Sequence, residues 1–260
     1  MEKKVDKAVT FILSTGRTGT QFFSHYLNGT CEETLCLHEP GPSRRFKWYS
    51  NFYLVNKLSA RFIAKQYLNN RKKQLFSGEH RHYVESSNFL FACVEPVKQF
   101  IPELSVLHII RHPLTYTRSH LNKGFWSGIK GFTARNIPGW LEFIDPEIRH
   151  GKDPVMILLA RWIYVNRVLL SHGKITRYHN CRFEDLFGEN TPEVISKMNH
   201  IRQFIGCDDL QPEEQQQWLK RAANKSPRNR SDRWPIEKKH IDFLKRNAGD
   251  LLETFNYQID

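Results

Sequence analysis

The chain is short of acidic residues: 27 Asp and Glu stand against 39 Lys and Arg, a formal charge of +12 over 260 residues. That imbalance favours an anionic partner, whether nucleic acid, an acidic membrane surface, a phosphorylated cofactor or a polyanionic substrate. The five cysteines, Cys31, Cys36, Cys93, Cys181 and Cys207, include no Cys-x-x-Cys pair, which excludes a zinc ribbon. Cys93 and Cys207 lie in apolar settings and read as ordinary buried thiols, in keeping with a reducing compartment. No Gly-Lys-Ser/Thr triplet occurs, so a Walker A loop is excluded. There is no internal repeat and no recognised nucleic-acid motif. Residues 1–7 are charged and only a short apolar run follows. Neither a secretion signal nor a transmembrane segment is expected there, and the expected compartment is cytoplasmic. His80 and His82 are followed by no further histidine at helical spacing, and no metal is expected.

What is present points to a globular enzyme-sized chain. Hydrophobic residues make up 40% and aromatic residues 13%, enough to bury a sizeable core. The length suits a single domain over residues 1–260, with a Gly-, Pro- and Trp-rich lid or insertion at about residues 124–154 that holds Trp126 and Trp140.

The most informative stretch is Ser14-Thr15-Gly16-Arg17-Thr18-Gly19-Thr20. The preceding residues 8–13 are β-branched and aromatic and read as a buried strand. The following residues carry Phe22, Phe23, Tyr26 and Leu27 at helical spacing. A strand, a glycine turn and a helix aim backbone N–H groups at one point, where the helix N-terminus favours an anion. Arg17 inside the turn adds a cation that the turn itself does not need. The other reading is a Ser/Thr-rich turn that caps a helix.

Residues 34–37 read as a second strand, expected beside the first, and end in His38-Glu39-Pro40-Gly41-Pro42. Glu39 follows Arg17 by 22 residues and at that strand end is placed for general-base work; a two-proline surface turn is the alternative. Residues 44–73 are basic and aromatic, and within them the helical spacing of Phe52, Val55, Leu58, Phe62, Ile63 and Leu68 predicts a long amphipathic helix. Arg44, Arg45, Lys47 and Trp48 precede it and suit an acceptor rim; exposed basic loop residues are the alternative. Residues 80–87 predict a strand, and residues 89–100 a helix with Asn88 as N-cap.

Residues 105–110 predict another buried strand, which ends at Arg111. Pro113 is compatible with an immediate helix start, and Ser119 follows Arg111 by eight residues, about two turns into it. An arginine fork with a hydroxyl suits a phosphate; a structural arginine–carboxylate pair is the alternative. Residues 155–170 predict an apolar core helix, 175–187 contain a strand, and 194–205 and 211–223 predict helices. A basic loop with Arg228 and Arg230 precedes a closing helix from Pro235 to about residue 255.

In order and spacing, these segments resemble the PAPS-dependent sulfotransferases (PAPS is 3′-phosphoadenosine 5′-phosphosulfate) over roughly residues 8–257. The resemblance implies a P-loop-like three-layer α/β fold, a central parallel β-sheet flanked by helices. It implies that Gly16, Arg17, Thr18, Gly19, Thr20 and Gln21 cradle the 5′-phosphosulfate, with Arg17 as the catalytic cation. Arg111 and Ser119 match the pair that holds the 3′-phosphate, and Phe183-Glu184-Asp185-Leu186 matches the segment near the adenine. Glu39 matches the base of the carbohydrate and tyrosyl-protein branches, and His38 is the second choice, as in the phenol branch. His112 stands for the usual Asp, Phe183 for the usual Tyr and Gln21 for a frequent Thr. The usual carboxyl-terminal Arg-Lys-Gly loop is missing, so Arg228 and Arg230 are the residues expected in its place. The implied reaction moves a sulfonate from PAPS, leaving PAP, to a hydroxyl or amine. The expected acceptor is a carbohydrate or another hydroxylated or anionic molecule, with no metal and no nucleic acid. The rivals are a P-loop kinase or NTPase and a non-enzymatic polyanion binder.

Overall fold

The computed structural model describes residues 5, 7–123, 132, 136, 141–187, 191–222 and 235–259. Strands β1 (Ala8–Ser14), β2 (Thr34–His38), β3 (His82–Ser86), β4 (Ser105–Ile110) and β5 (Arg177–Arg182) form one parallel sheet in the order β2-β3-β1-β4-β5. The helices of the first half are α1 (Thr20–Thr30), α2 (Ser43–Leu54), α3 (Ala60–Asn70), α4 (Lys72–Phe76), α5 (Val94–Lys98) and α6 (Pro113–Asn122). Those of the second half are α7 (Pro146–His150), α8 (Pro154–Ser171), α9 (Phe183–Leu186), α10 (Pro192–Ile205), α11 (Pro212–Ala222) and α12 (Lys238–Thr254).

Both faces of the sheet are covered, which is why its inner strands are near-continuous apolar runs. Val9, Phe11 and Leu13 of β1 face a core with α2, α3, α5 and the end of α8. Ile12 faces the opposite core, with α1 and α10. A third cluster joins α6, α8 and α12. By length and composition α8 is apolar enough to span a bilayer. Its Ile157, Leu158, Trp162 and Val165 are buried, packed among β1, β4, α6 and α12. The three layers are the architecture expected from the sequence.

Four local expectations are corrected. β2 does not lie beside β1; β3 takes the slot between them. Tyr83, Val84, Glu85 and Ser86 of β3 are all buried, whereas Leu35, Leu37 and His38 of β2 are half-exposed and suit an edge. The long helix expected from Phe52 to Leu68 is broken: Phe52 belongs to α2, which already takes in residues 44–48, and Leu68 belongs to α3. Asn56 adopts a left-handed conformation (φ 57°), and Ser59 then caps α3 by accepting the Phe62 N–H. Residues 89–100 hold only the short α5. Asn88 caps nothing, because the Phe89 carbonyl accepts from Ser50 Oγ and the Phe91 carbonyl from His172 Nε2, which diverts both from a helix ladder. Cys207 is no free thiol: it is joined to Cys31 across 176 residues of sequence. Cys93 does stay a buried free thiol, beside Ser50 Oγ.

The end of the expected lid that is described is anchored: Leu141 and Ile144 are buried in the third cluster and α7 follows. Trp126, Trp140, Arg228 and Arg230 lie outside the described residues.

Candidate functional site

Because all five strands are parallel, their carboxyl ends share one edge of the sheet. β1 is flanked by β3 and β4, so the chain leaves it in one direction to build β2 and β3 and in the other to build β4. A crevice opens at such a switch point. The residues just past the strands meet there: the glycine turn after β1, Glu39 after β2, Asn88 after β3, Arg111 after β4 and Phe183 after β5.

Gly16 (φ 91°), Arg17 (φ 62°) and Gly19 (φ 72°) of the turn are all left-handed, the kind of backbone that turns successive N–H groups toward an anion. There is no room for a side chain at either glycine. A Cβ on Gly16 would lie 2.6 Å from Asn88 Nδ2, and one on Gly19 would lie 2.7 Å from the Phe187 ring. The first turn of α1 leaves its N–H groups without helical partners. Thr15 and Thr18 are fully buried, yet neither hydroxyl has a hydrogen-bond partner among the described residues. Such orphans ask for a ligand, and their donor chemistry fits a phosphosulfate. Thr20 is buried at the helix start, and Gln21 points to solvent.

The two arginine motifs come together. Arg17 Nε donates to Ser119 Oγ at 3.1 Å. Arg111 Nη1 donates to the Arg17 carbonyl at 2.7 Å, and its Nε donates to Thr115 Oγ1 at 3.2 Å. The Arg111 guanidinium also lies over the Phe183 ring, 4.4 Å from its centroid. Arg111 is therefore part of the turn's scaffold as well as a cation at its mouth. Glu184 accepts the His112 backbone N–H at 3.0 Å and the Tyr257 hydroxyl at 2.8 Å.

Glu39 is half-buried and left-handed (φ 43°). Its N–H donates to the Ser86 carbonyl at 3.0 Å, and His38 Nδ1 donates to the same oxygen at 3.1 Å. Burial raises the Glu39 carboxyl above the ordinary glutamate range, against the pull of His38, Lys47, Arg44 and the Asn88 backbone N–H. Asn88 thus links the two halves of the site, with its backbone on Glu39 and its side chain against Gly16.

Three residues to which sequence reasoning gave no part in the site complete the crevice. Arg161 Nη1 donates to the Thr15 carbonyl and to Tyr116 Oη, each at 2.7 Å. It sits mid-helix in α8 and no motif marks it. His120 follows Ser119, and its Nε2 is buried without a partner among the described residues. Burial, then the charges of Arg161, Arg17, Arg111 and Lys47, hold its pKa well below the ordinary histidine value, so the ring is neutral at pH 7. Asn88 is the third, expected as a helix cap. Lys47, read from the sequence as rim, is drawn into the same field. Burial, with Arg161 and Arg44, pushes its pKa down to about 7, and Glu39 opposes the shift.

The arrangement is a cation-rich crevice with the half-buried Glu39 carboxylate in it and a nest of N–H and O–H donors beside it. It can hold a doubly charged phosphate-like group and take a proton next to it.

No protein-family model and no curated protein matches the sequence. Solved structures do match the fold. The chain is similar to a sulfotransferase from Alicyclobacillus acidocaldarius at 13% identity and TM-score 0.55, over 100% of this chain and 98% of that one. It is similar to the sulfotransferase domain of the Synechococcus PCC 7002 olefin synthase at 15% identity and TM-score 0.54, over 100% and 98%. A sulfotransferase from Mycobacterium avium aligns at 13% identity and TM-score 0.55, over 98% of this chain and 78% of that one. At these identities the likeness is one of fold, and it extends through the whole chain.

Proposed function

We propose that this chain is a sulfotransferase that moves the sulfonate group of PAPS to a hydroxyl or amine acceptor, with a carbohydrate-type hydroxyl as first choice. The observation that carries the reading is the meeting of the two arginine motifs: Arg17 Nε on Ser119 Oγ, and Arg111 Nη1 on the Arg17 carbonyl. Residues 94 and 102 positions apart in the sequence close on one turn of backbone. The whole-chain likeness to solved sulfotransferases supports it.

When bound, PAPS supplies a sulfonate activated by its anhydride bond to the 5′-phosphate. The donors of the turn, with the Thr15 and Thr18 hydroxyls, would hold that end, and Arg111 would face the 3′-phosphate. Glu39 takes the acceptor's proton, and burial makes it a stronger base than an ordinary glutamate. His38 is fixed by Ser86 and is the second candidate for that role. Arg17 opposes the negative charge that builds on the departing phosphate oxygen, a preorganised electrostatic role. Phe183 carries Arg111 on its face, so its part in the cofactor site is to shape that cation as well as to meet the adenine.

Calorimetric titration with adenosine 3′,5′-bisphosphate (PAP) against ATP, with and without Mg²⁺, tests the reading. Micromolar, metal-independent PAP binding that is weakened about 10–100-fold in Arg111→Ala is the expected result. Mg²⁺-dependent ATP binding without PAP binding would move the chain to the kinase class. Salt-sensitive binding of polyanions with no nucleotide affinity would make it a polyanion binder.

A further inference from the structure

A second cluster of charge lies behind the crevice, and it is closed to solvent. Arg71 and Glu85 are both fully buried. Arg71 Nε and Nη2 each donate to the Glu85 carboxylate at 2.8 Å. The Tyr83 and Tyr67 hydroxyls donate to Glu85 Oε2 at 2.9 and 3.2 Å. Burial, then the Glu85 charge, lifts both tyrosines well above their ordinary values, so they stay protonated donors.

A buried ion pair is weak evidence of a stabilising role, because desolvation offsets the attraction and an apolar pair of similar volume does as well. The remaining donors of Arg71 show what this one holds. Nη1 donates to the Gly41 carbonyl at 3.0 Å, and Nη2 donates to the Pro40 carbonyl and to Ser43 Oγ, each at 3.0 Å. Ser43 Oγ also donates to the Pro40 carbonyl. The guanidinium therefore grips the backbone immediately after Glu39.

The residue before that grip is held from the same strand. Ser86, next to Glu85 on β3, receives the Glu39 N–H and His38 Nδ1 on its carbonyl. Its hydroxyl donates to the Thr20 carbonyl at 2.7 Å, at the first residue of α1. One end of one strand thus fixes Glu39 on both sides and ties it to the glycine turn. Glu39 needs such support, because its φ of 43° is one that a non-glycine residue holds only when its surroundings over-determine it.

We infer that Arg71, held by Glu85, is a positioning residue that aims the Glu39 carboxylate into the crevice. Arg71 touches neither the glycine turn nor any group proposed to react. It acts through the backbone of Pro40 and Gly41. The inference rests on the proposed role of Glu39, so its test includes a readout that needs no turnover.

The variant to make is Arg71→Lys. It keeps a positive charge for Glu85 and loses the planar fork that reaches Gly41, Pro40 and Ser43 together. The readouts are the titration of the Glu39 carboxyl by carbon NMR, hydrogen exchange of the Glu39 amide, and sulfonation kinetics. In Arg71→Lys the Glu39 titration is expected to fall toward the ordinary glutamate range, and its amide to exchange at least about tenfold faster. Turnover is expected to drop at least about tenfold, with KM for PAPS within about twofold. Rescue follows from restoring the fork and not from charge alone. An unchanged Glu39 titration with wild-type turnover overturns the inference, and so does a turnover loss matched by an equal loss of PAPS affinity. If the wild type transfers no sulfonate while the Glu39 titration still shifts in Arg71→Lys, the positioning stands and the proposed reaction falls. If Arg71→Lys does not fold, Ser43→Ala removes one acceptor at the same corner. It must then show the same pattern at smaller size, about threefold in turnover; no change there overturns the inference.

Discussion

Two clusters of charge lie a few residues apart in this fold, one fully buried and one open, and they are balanced differently. Behind β2 and β3, Arg71 and Glu85 close on each other, two tyrosines complete the carboxylate, and nothing faces solvent. In front, at the carboxyl edge of the sheet, Arg17, Arg44, Lys47, Arg111 and Arg161 gather around one another, with Glu39 beside Lys47 and Arg44 and Glu184 beside Arg111. The first set is satisfied by the protein alone. The second leaves buried hydroxyls at Thr15 and Thr18 and a buried ring nitrogen at His120 without partners among the described residues. A cluster that completes itself serves geometry, and one left incomplete is shaped for a ligand.

The comparison breaks first at Glu39. Glu39→Gln is expected to lower turnover about 10²–10⁴-fold, the usual range for losing a general base. PAP affinity and thermal stability should stay near wild type. Unchanged turnover would discard Glu39 and bring His38 forward. The turnover that remains in the wild type should fall as pH drops through a value above the ordinary ~4.3 of glutamate, because burial raises this carboxyl and only its ionised form accepts the proton.

Glu85→Ala attacks the closed cluster. It strands the Arg71 guanidinium in a fully buried site, and the loss in unfolding free energy is expected at about 3–5 kcal/mol. Chemical denaturation measures it. The matched change in the open cluster, Arg17→Ala, should behave in reverse. Turnover falls about 10²–10³-fold, while the denaturation midpoint hardly moves, because no protein carboxylate is left unpaired. Equal stability losses in the two variants would remove the distinction between the clusters. A smaller effect belongs to Arg111→Ala, expected to weaken PAP about 10–100-fold through lost charge-assisted hydrogen bonds. Part of that loss comes from the turn itself, since Arg111 also holds the Arg17 carbonyl.

The same contrast explains what was legible in the sequence. The strand–turn–helix around Arg17 and the strand end at Arg111 are local patterns, and the structure brings them together as their order implied. Ser119 is found where an eight-residue spacing puts it, but its hydroxyl is on Arg17. The place of β3 between β1 and β2 was not legible, because strand order is decided by burial on two faces and not by adjacency in the chain. The break at Asn56 was hidden by a hydrophobic periodicity that runs through it. Arg161 and Arg71 look like ordinary helix arginines in the sequence. What distinguishes them is which carbonyls they reach, at separations of 146 and about 30 residues, and only the fold supplies that. The Cys31–Cys207 pair is hidden for the same reason.

Lys47 gives the smallest and most discriminating prediction. In the unfolded chain a lysine titrates near ~10.4, and here burial and two arginines bring it down to about 7. Between those values the unfolded chain binds the extra proton, so stability should rise with pH across that window. Below pH 7 the folded chain carries the charge and bears its full desolvation. Anion affinity should run the other way and fall as pH rises through about 7, when the ammonium loses its proton. An anion bound in the crevice raises the Lys47 pKa again, so binding near pH 7 should take up about half a proton. Calorimetry of PAP binding in two buffers of different ionisation enthalpy reads that number directly. Lys47→Arg keeps the charge at all these pH values and should abolish the uptake with little change in affinity at pH 6. If the uptake persists in Lys47→Arg, the proton goes to His120 or Glu39, and Lys47 belongs with the charges that the protein satisfies by itself.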